Sequence, residues 1–177
     1  MSIMEKGLIH LYTGDGKGKT TAAAGLAVRA AGRGRRVVFA QFLKGRKTGE
    51  ISSLEKLGVR VVRSEKDFGF IWNMNDEQKE AFGAEQARLF EEVQRAAAET
   101  PIDLLVLDES LGAMMAGRLG ADTLREFLSQ KPENLEIVLT GREAPDWLME
   151  IADYITNMTK EKHPYDRGVQ ARESIEY

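Results

Sequence analysis

The run Thr13-Gly14-Asp15-Gly16-Lys17-Gly18-Lys19-Thr20-Thr21 constrains this chain more than any other segment. It follows a short apolar stretch and precedes an alanine-rich one with helical character. Glycines at 14, 16 and 18 let the backbone turn so that successive N–H groups converge on an anion. A helix beginning where the run ends adds further donors and the positive end of its dipole. The spacing is that of a P-loop in all but its first position, where Thr13 stands in place of Gly. In that pattern Lys19 reaches the terminal phosphates and Thr20 holds Mg²⁺ through its hydroxyl. Such a loop needs a strand before it and a helix after it, so the chain is expected to be an α/β protein.

The remaining sequence fits that expectation. Short runs rich in Val, Ile and Leu fall at residues 7–12, 36–42, 59–63, 102–107, 136–140 and 154–157. Their composition is that of strands buried on both faces. Helical periodicity predicts helices over 19–31, 49–57, 76–100, 121–130 and 145–151. In the longest, Phe82, Leu89, Phe90, Val93, Ala96 and Ala97 recur at helical spacing, Asn75 and Asp76 serve as caps, and Pro101 stops it. Strands alternating with helices predict a mostly parallel sheet covered on both faces, the P-loop NTPase (RecA-like) architecture. No linker, repeat or low-complexity segment divides the 177 residues, so residues 1–177 are expected to form one domain.

Ligands of such sheets bind outside the carboxyl ends of the strands. Function is therefore expected just after Tyr12, Phe42, Leu107 and Thr140. The run Leu104-Leu105-Val106-Leu107-Asp108-Glu109 is an apolar strand ending in two acids. In P-loop proteins the first of these holds Mg²⁺, and the second binds metal or acts as a base. The alternative is that both acids cap a helix over 110–116. Arg142, just past Thr140-Gly141, suits a phosphate contact through its planar fork, or else makes a surface ion pair. His10 lies on the first strand and is read as structural.

Composition narrows the remaining classes. There is no cysteine, which excludes a disulfide framework, a thiolate metal site and a cysteine nucleophile. The net charge of −3 argues against a chain that binds polyanions as a whole. The basic group Arg29, Arg33, Arg35 and Arg36 lacks interleaved aromatics, so no nucleic-acid partner is expected. Apolar runs are far shorter than the ~18 residues of a membrane span. With no signal-peptide pattern at the N-terminus either, the expected location is cytoplasmic, without a membrane partner.

A P-loop fixes the ligand class but not the reaction. Further segments narrow it: Gln41-Phe42-Leu43-Lys44-Gly45, Phe70-Ile71-Trp72, Leu107-Asp108-Glu109, Thr140-Gly141-Arg142, Lys162-His163-Pro164 and Ile175-Glu176-Tyr177. With the phosphate loop, and in this order over nearly the whole chain, they resemble the P-loop type of corrinoid adenosyltransferase. That resemblance implies transfer of the 5′-deoxyadenosyl group of ATP to the Co(I) of cobalamin or cobyrinic acid a,c-diamide, with triphosphate leaving. It implies that Gly14, Asp15, Gly16, Lys17, Gly18, Lys19, Thr20 and Thr21 cradle the triphosphate. Lys19, Thr20, Glu109 and Arg142 are the implied catalytic set, and Thr20, Asp108 and Glu109 the Mg²⁺ set. Gln41, Lys44, Phe70, Trp72 and His163 are implied substrate-binding residues. Phe70 and Trp72 would form an apolar wall beneath the corrin that leaves cobalt without an axial ligand; ordinary core aromatics are the alternative. His163 would touch the corrinoid or pin the C-terminus. An electron donor such as a flavoprotein reductase and a homodimer are implied as well.

Two other functions share the loop and Asp108-Glu109: a RecA-like ATPase or small-molecule kinase, and a non-catalytic corrinoid or nucleotide sensor. Departures at Ile71, Asn73-Met74-Asn75, Arg172 and Ser174 lie on the corrinoid side of the resemblance and motivate the sensor.

Overall fold

A computed structural model describes residues 6–45, 48–69 and 73–176. Its sheet has six parallel strands: β1 (Ile9–Thr13), β2 (Val37–Gln41), β3 (Arg60–Arg63), β4 (Leu104–Asp108), β5 (Glu136–Thr140) and β6 (Tyr154–Asn157). They are arranged in the order β3-β2-β4-β5-β1-β6. The helices are α1 (Lys19–Gly32), α2 (Gly49–Lys56), α3 (Asp76–Glu99), α4 (Ser110–Met115), α5 (Ala121–Ser129) and α6 (Asp146–Ile151), and a 3₁₀ turn covers Pro164–Arg167.

The two faces of the sheet carry separate cores, because successive side chains of a strand point to opposite sides. Val37, Phe39, Leu104, Val106 and Val138 pack with Ala23, Ala24 and Ala27 of α1 and with Ile51 and Leu54 of α2. Val38, Ala40, Leu105, Leu107, Ile137 and Leu139 pack on the other face with Leu89, Phe90 and Val93 of α3 and with Leu111, Leu124 and Leu148. Small alanines on the buried face of α1 keep that helix close to the sheet. This sets the helix N-terminus, and the loop before it, directly over the strand ends.

Every residue of β2 and β4 is buried, as continuous apolar runs predict for inner strands. β6 differs: all four of its residues are exposed, because it is an edge strand paired only with β1. β4 starts two residues later than its apolar run suggests and continues through Asp108. Asn75 caps α3 in a capping box with Gln78, and the helix ends before Pro101. Asp103 takes Arg35 and Arg36 into ion pairs, which accounts for part of the basic group near α1. His10 bonds Glu136 at 2.5 Å and packs on Tyr154, a structural position as expected. Among the described residues no helix is long and apolar enough to cross a membrane.

Topology determines what meets at the site. The loop strand β1 and the acidic strand β4 are not neighbours; β5 lies between them. The registers Tyr12↔Thr140 and Gln41↔Asp108 bring the ends of β1, β5, β4 and β2 to one edge of the sheet.

Candidate functional site

The loop between β1 and α1 is shaped by two glycines in conformations that other residues rarely adopt. Gly14 has φ 107° and Gly18 has φ 121°. The Gly14 N–H donates to the Arg142 carbonyl at 2.9 Å, and the Gly16 N–H donates to the Met158 carbonyl at 2.6 Å. The ends of β5 and β6 thus hold the loop from behind. Lys19 folds its side chain over the loop and donates to the carbonyls of Gly14 (2.6 Å) and Gly16 (2.7 Å). Burial pulls the Lys19 ammonium below its ordinary pKa, opposed by the charge of Glu109. Asp15 turns outward, and its carboxyl is held below the usual range chiefly by the backbone N–H of Lys160.

Asp108 is the polar centre. Its side chain is fully buried and accepts from four residues. Thr20 and Thr140 hydroxyls donate to Oδ1 at 2.9 and 2.8 Å. Lys44 Nζ and Gln41 Nε2 donate to Oδ2 at 3.0 and 3.3 Å. The carboxylate is thus bonded into the strand ends and does not cap α4. Glu109 has a backbone in the left-handed region (φ 58°), with its N–H donating to the Thr140 hydroxyl at 2.9 Å. It makes no side-chain cap either. Burial pushes its carboxyl above the ordinary pKa, and the Asp108 charge adds to that.

The donors suit a hard divalent cation: one hydroxyl and one buried carboxylate, with other positions left to phosphate oxygens and water. Among the described residues no three His, Asp or Glu side chains form a metal cage made of protein alone.

A cavity of about 480 Å³ opens over this arrangement. The loop and first turn of α1 (Gly16 to Thr21), Lys44 and Glu109 line one part of it. Thr48 and Glu50 at the start of α2, with Asp67 and Gly69, line the other. A second cavity of about 460 Å³ lies behind the loop, between Arg142, Gly14, Asn157 and Thr159. Arg142 opens into this second space, close enough for its charge to act on Lys19 and Glu109.

Most of the expected site residues therefore converge, with exceptions. Gln41 is wholly buried beneath the cavity, bridging Asp108 and Glu50, and its Oε1 has no partner among the described residues. Lys17 lines the cavity but donates to the Ile175 carbonyl and to Glu176 of the C-terminal segment. His163 lies outside both cavities; its Nδ1 accepts from the Tyr165 N–H and caps the 3₁₀ turn. Phe70 and Trp72 lie outside the described residues. Sequence reasoning missed Thr48, Glu50 and Glu176 as cavity residues. Glu176 belonged to a recognised tail motif, but nothing local in the sequence says that the tail folds back onto the loop. There it is clamped by Arg172, which with Lys17 holds its carboxyl down to about 2.

Glu109 lends itself to a stability test. Its folded pKa is raised, so burying its charge costs stability above the ordinary carboxyl range, and that cost vanishes as pH falls below it. Glu109→Gln is expected to gain about 1 kcal/mol at pH 7–8, or roughly 2–4 °C in Tm. The gain should fade towards pH 4, and turnover should fall. Thermal melts across pH check this; a lower Tm at neutral pH contradicts it.

Compared with known proteins, residues 5–177 match the family described as ATP:corrinoid adenosyltransferase BtuR/CobO/CobP. A corrinoid adenosyltransferase of Escherichia coli K12 is 32% identical over 176 residues, spanning 98% of this chain and 87% of that protein. Corrinoid adenosyltransferase CobA of Salmonella typhimurium LT2 is 34% identical over the same length and coverage. Among solved structures, the KaiC-like protein PH0186 of Pyrococcus horikoshii OT3 aligns with a TM-score of 0.49 and 19% identity, covering 89% of this chain and 75% of that one.

Proposed function

Because the chain belongs to the ATP:corrinoid adenosyltransferase family, a family of transferases, we propose that it moves the 5′-deoxyadenosyl group of ATP onto the Co(I) of a corrinoid. The Co(I) electron pair attacks the ribose C5′. A Co–C bond forms, the C5′–O bond breaks, and triphosphate leaves with the bonding pair. The observation that carries this reading is the phosphate cradle facing one open cavity that continues beyond it to Thr48, Glu50, Asp67 and Gly69.

The protein's part is binding, orientation and electrostatics. The reaction leaves charge on the whole triphosphate, so the useful groups are those that stabilise that charge as it grows. The loop N–H groups and the start of α1 supply donors, and Lys19 supplies a cation whose desolvation strengthens its pull. Arg142, approaching from behind the loop, supplies another. Thr20 and Asp108 are the residues that would hold Mg²⁺, which adds positive charge to the leaving group. Phe70 and Trp72 are assigned to the face of the corrin: they follow Gly69, which lines the cavity, and a dry aromatic surface offers cobalt no axial ligand. A separate electron donor, such as a flavoprotein reductase, gives up the electron that reduces the corrinoid cobalt to Co(I), and the enzyme acts as a homodimer.

Product analysis tests the proposal. Protein incubated anaerobically with ATP, Mg²⁺ and cob(I)alamin is expected to yield adenosylcobalamin and triphosphate. Release of ADP with unaltered corrinoid would instead mark a kinase or ATPase, and tight binding of both substrates without turnover would mark a sensor.

A further inference from the structure

Lys44 occupies the place where a metal would bind. Its Nζ lies 3.2 Å from Thr20 Oγ1 and 3.0 Å from Asp108 Oδ2, the two oxygens that the loop and β4 present to a divalent cation. A magnesium ion binds such oxygens at ~2.0–2.1 Å. A cation bound to both takes the space of the ammonium, and the two positive charges repel at that range. Each therefore excludes the other. Lys44 also supplies the charge that Asp108 requires meanwhile: the carboxylate is fully buried, and its other partners, Thr20, Thr140 and Gln41, are neutral donors.

The surroundings of Lys44 hold it there yet allow it to leave. Leu43 before it has φ 59°, a left-handed conformation that is unfavourable for a bulky residue. The Leu43 N–H is fixed by the Gln86 side chain of α3 at 2.9 Å. The Lys44 side chain is 28% exposed and lines the cavity. Its four-carbon stem can swing into that space without moving the backbone.

We propose that Lys44 is the resident counter-ion of the metal position. It neutralises Asp108 before nucleotide arrives, gives way as Mg²⁺ enters with ATP, and carries its charge onto the triphosphate. This inference rests on the cavity being a nucleotide site. It gives ATP binding an arm that needs no metal: without a divalent ion, the ammonium stays beside Asp108 and Thr20 and pairs with a phosphate oxygen there.

Calorimetric ATP affinities, measured in EDTA and in Mg²⁺ for the wild type, Lys44→Met and Lys44→Gln, test this. The wild type is expected to bind metal-free ATP within about tenfold of its affinity in Mg²⁺. Both neutral variants are expected to lose metal-free binding by at least about tenfold more than binding in Mg²⁺. Paramagnetic Mn²⁺, titrated without nucleotide, is expected to bind Lys44→Met several-fold more tightly than the wild type. Strict metal dependence in the wild type, the same metal dependence in all three proteins, or unchanged Mn²⁺ affinity overturns the inference. Absence of ATP binding to the wild type under both conditions would instead sink the nucleotide reading itself.

Discussion

Lys19→Ala is expected to abolish ATP-dependent adenosyl transfer, lowering kcat by about 10²–10³-fold and weakening ATP binding in addition. Two effects combine. The ammonium that would face the leaving triphosphate disappears. So do its bonds to the Gly14 and Gly16 carbonyls, which hold the loop in its turn. Those carbonyls regain water as partners, so the fold should survive, with a melt close to that of the wild type. Lys19→Arg should not rescue activity, because a planar fork cannot place one compact charge between two carbonyls and a phosphate. Single-turnover formation of the Co–C bond, alongside calorimetric ATP binding, separates the two effects. Wild-type turnover in Lys19→Ala would remove the loop from the chemistry.

The second large effect is expected at Asp108, where function and stability share one side chain. Asp108→Ala leaves the Thr20 and Thr140 hydroxyls, the Gln41 amide and the Lys44 ammonium without their common acceptor. A loss of about 3 kcal/mol is expected from groups orphaned in this way, or roughly 6–12 °C in Tm. Asp108→Asn keeps the shape and one acceptor oxygen but sets an amide donor against the remaining donors, so it should recover only part of that stability. It should still lose activity by at least about 100-fold, since a neutral amide holds a divalent cation poorly. If Asp108→Asn matches the wild type in turnover, the metal assignment of Asp108 is wrong; if Asp108→Ala melts like the wild type, its structural role is.

How much of this was legible in the sequence depended on the range of the cause. The loop, the strand over 136–140 and the cap at Asn75 are local signals, and each stands where the residues put it. The exposure of β6 was not legible: Tyr154, Ile155 and Thr156 have strand composition, but whether a strand lies inside or at an edge depends on the order of the sheet. Gln41 and Lys44 come from one motif yet part company, one under the cavity floor and one in its wall, because a strand end turns successive side chains to different sides. Glu85 and Gln86 interrupt the apolar face of α3 without any warning from periodicity. They are buried because Ser64 and Arg88 bond Glu85, and the Leu43 N–H meets Gln86. Lys17 was assigned to the triphosphate by the resemblance; it lines the cavity, and nothing local foretold that the tail would fold back to meet it there.

The order of the sheet has a consequence for how the chain assembles. β1, the earliest of the described strands, pairs only with β5 and β6, the two latest. A growing chain can pair β2 with β3 and then β4 while β1 still has no neighbour. The bond from Thr20 to Asp108 spans 88 residues, and the grip of Met158 on Gly16 closes later still. Pairings over such distances form slowly and leave apolar edges open to wrong partners in the meantime. The phosphate cradle is thus among the first segments made on the ribosome and among the last to acquire its shape, so its competence to bind reports a chain finished almost to the end.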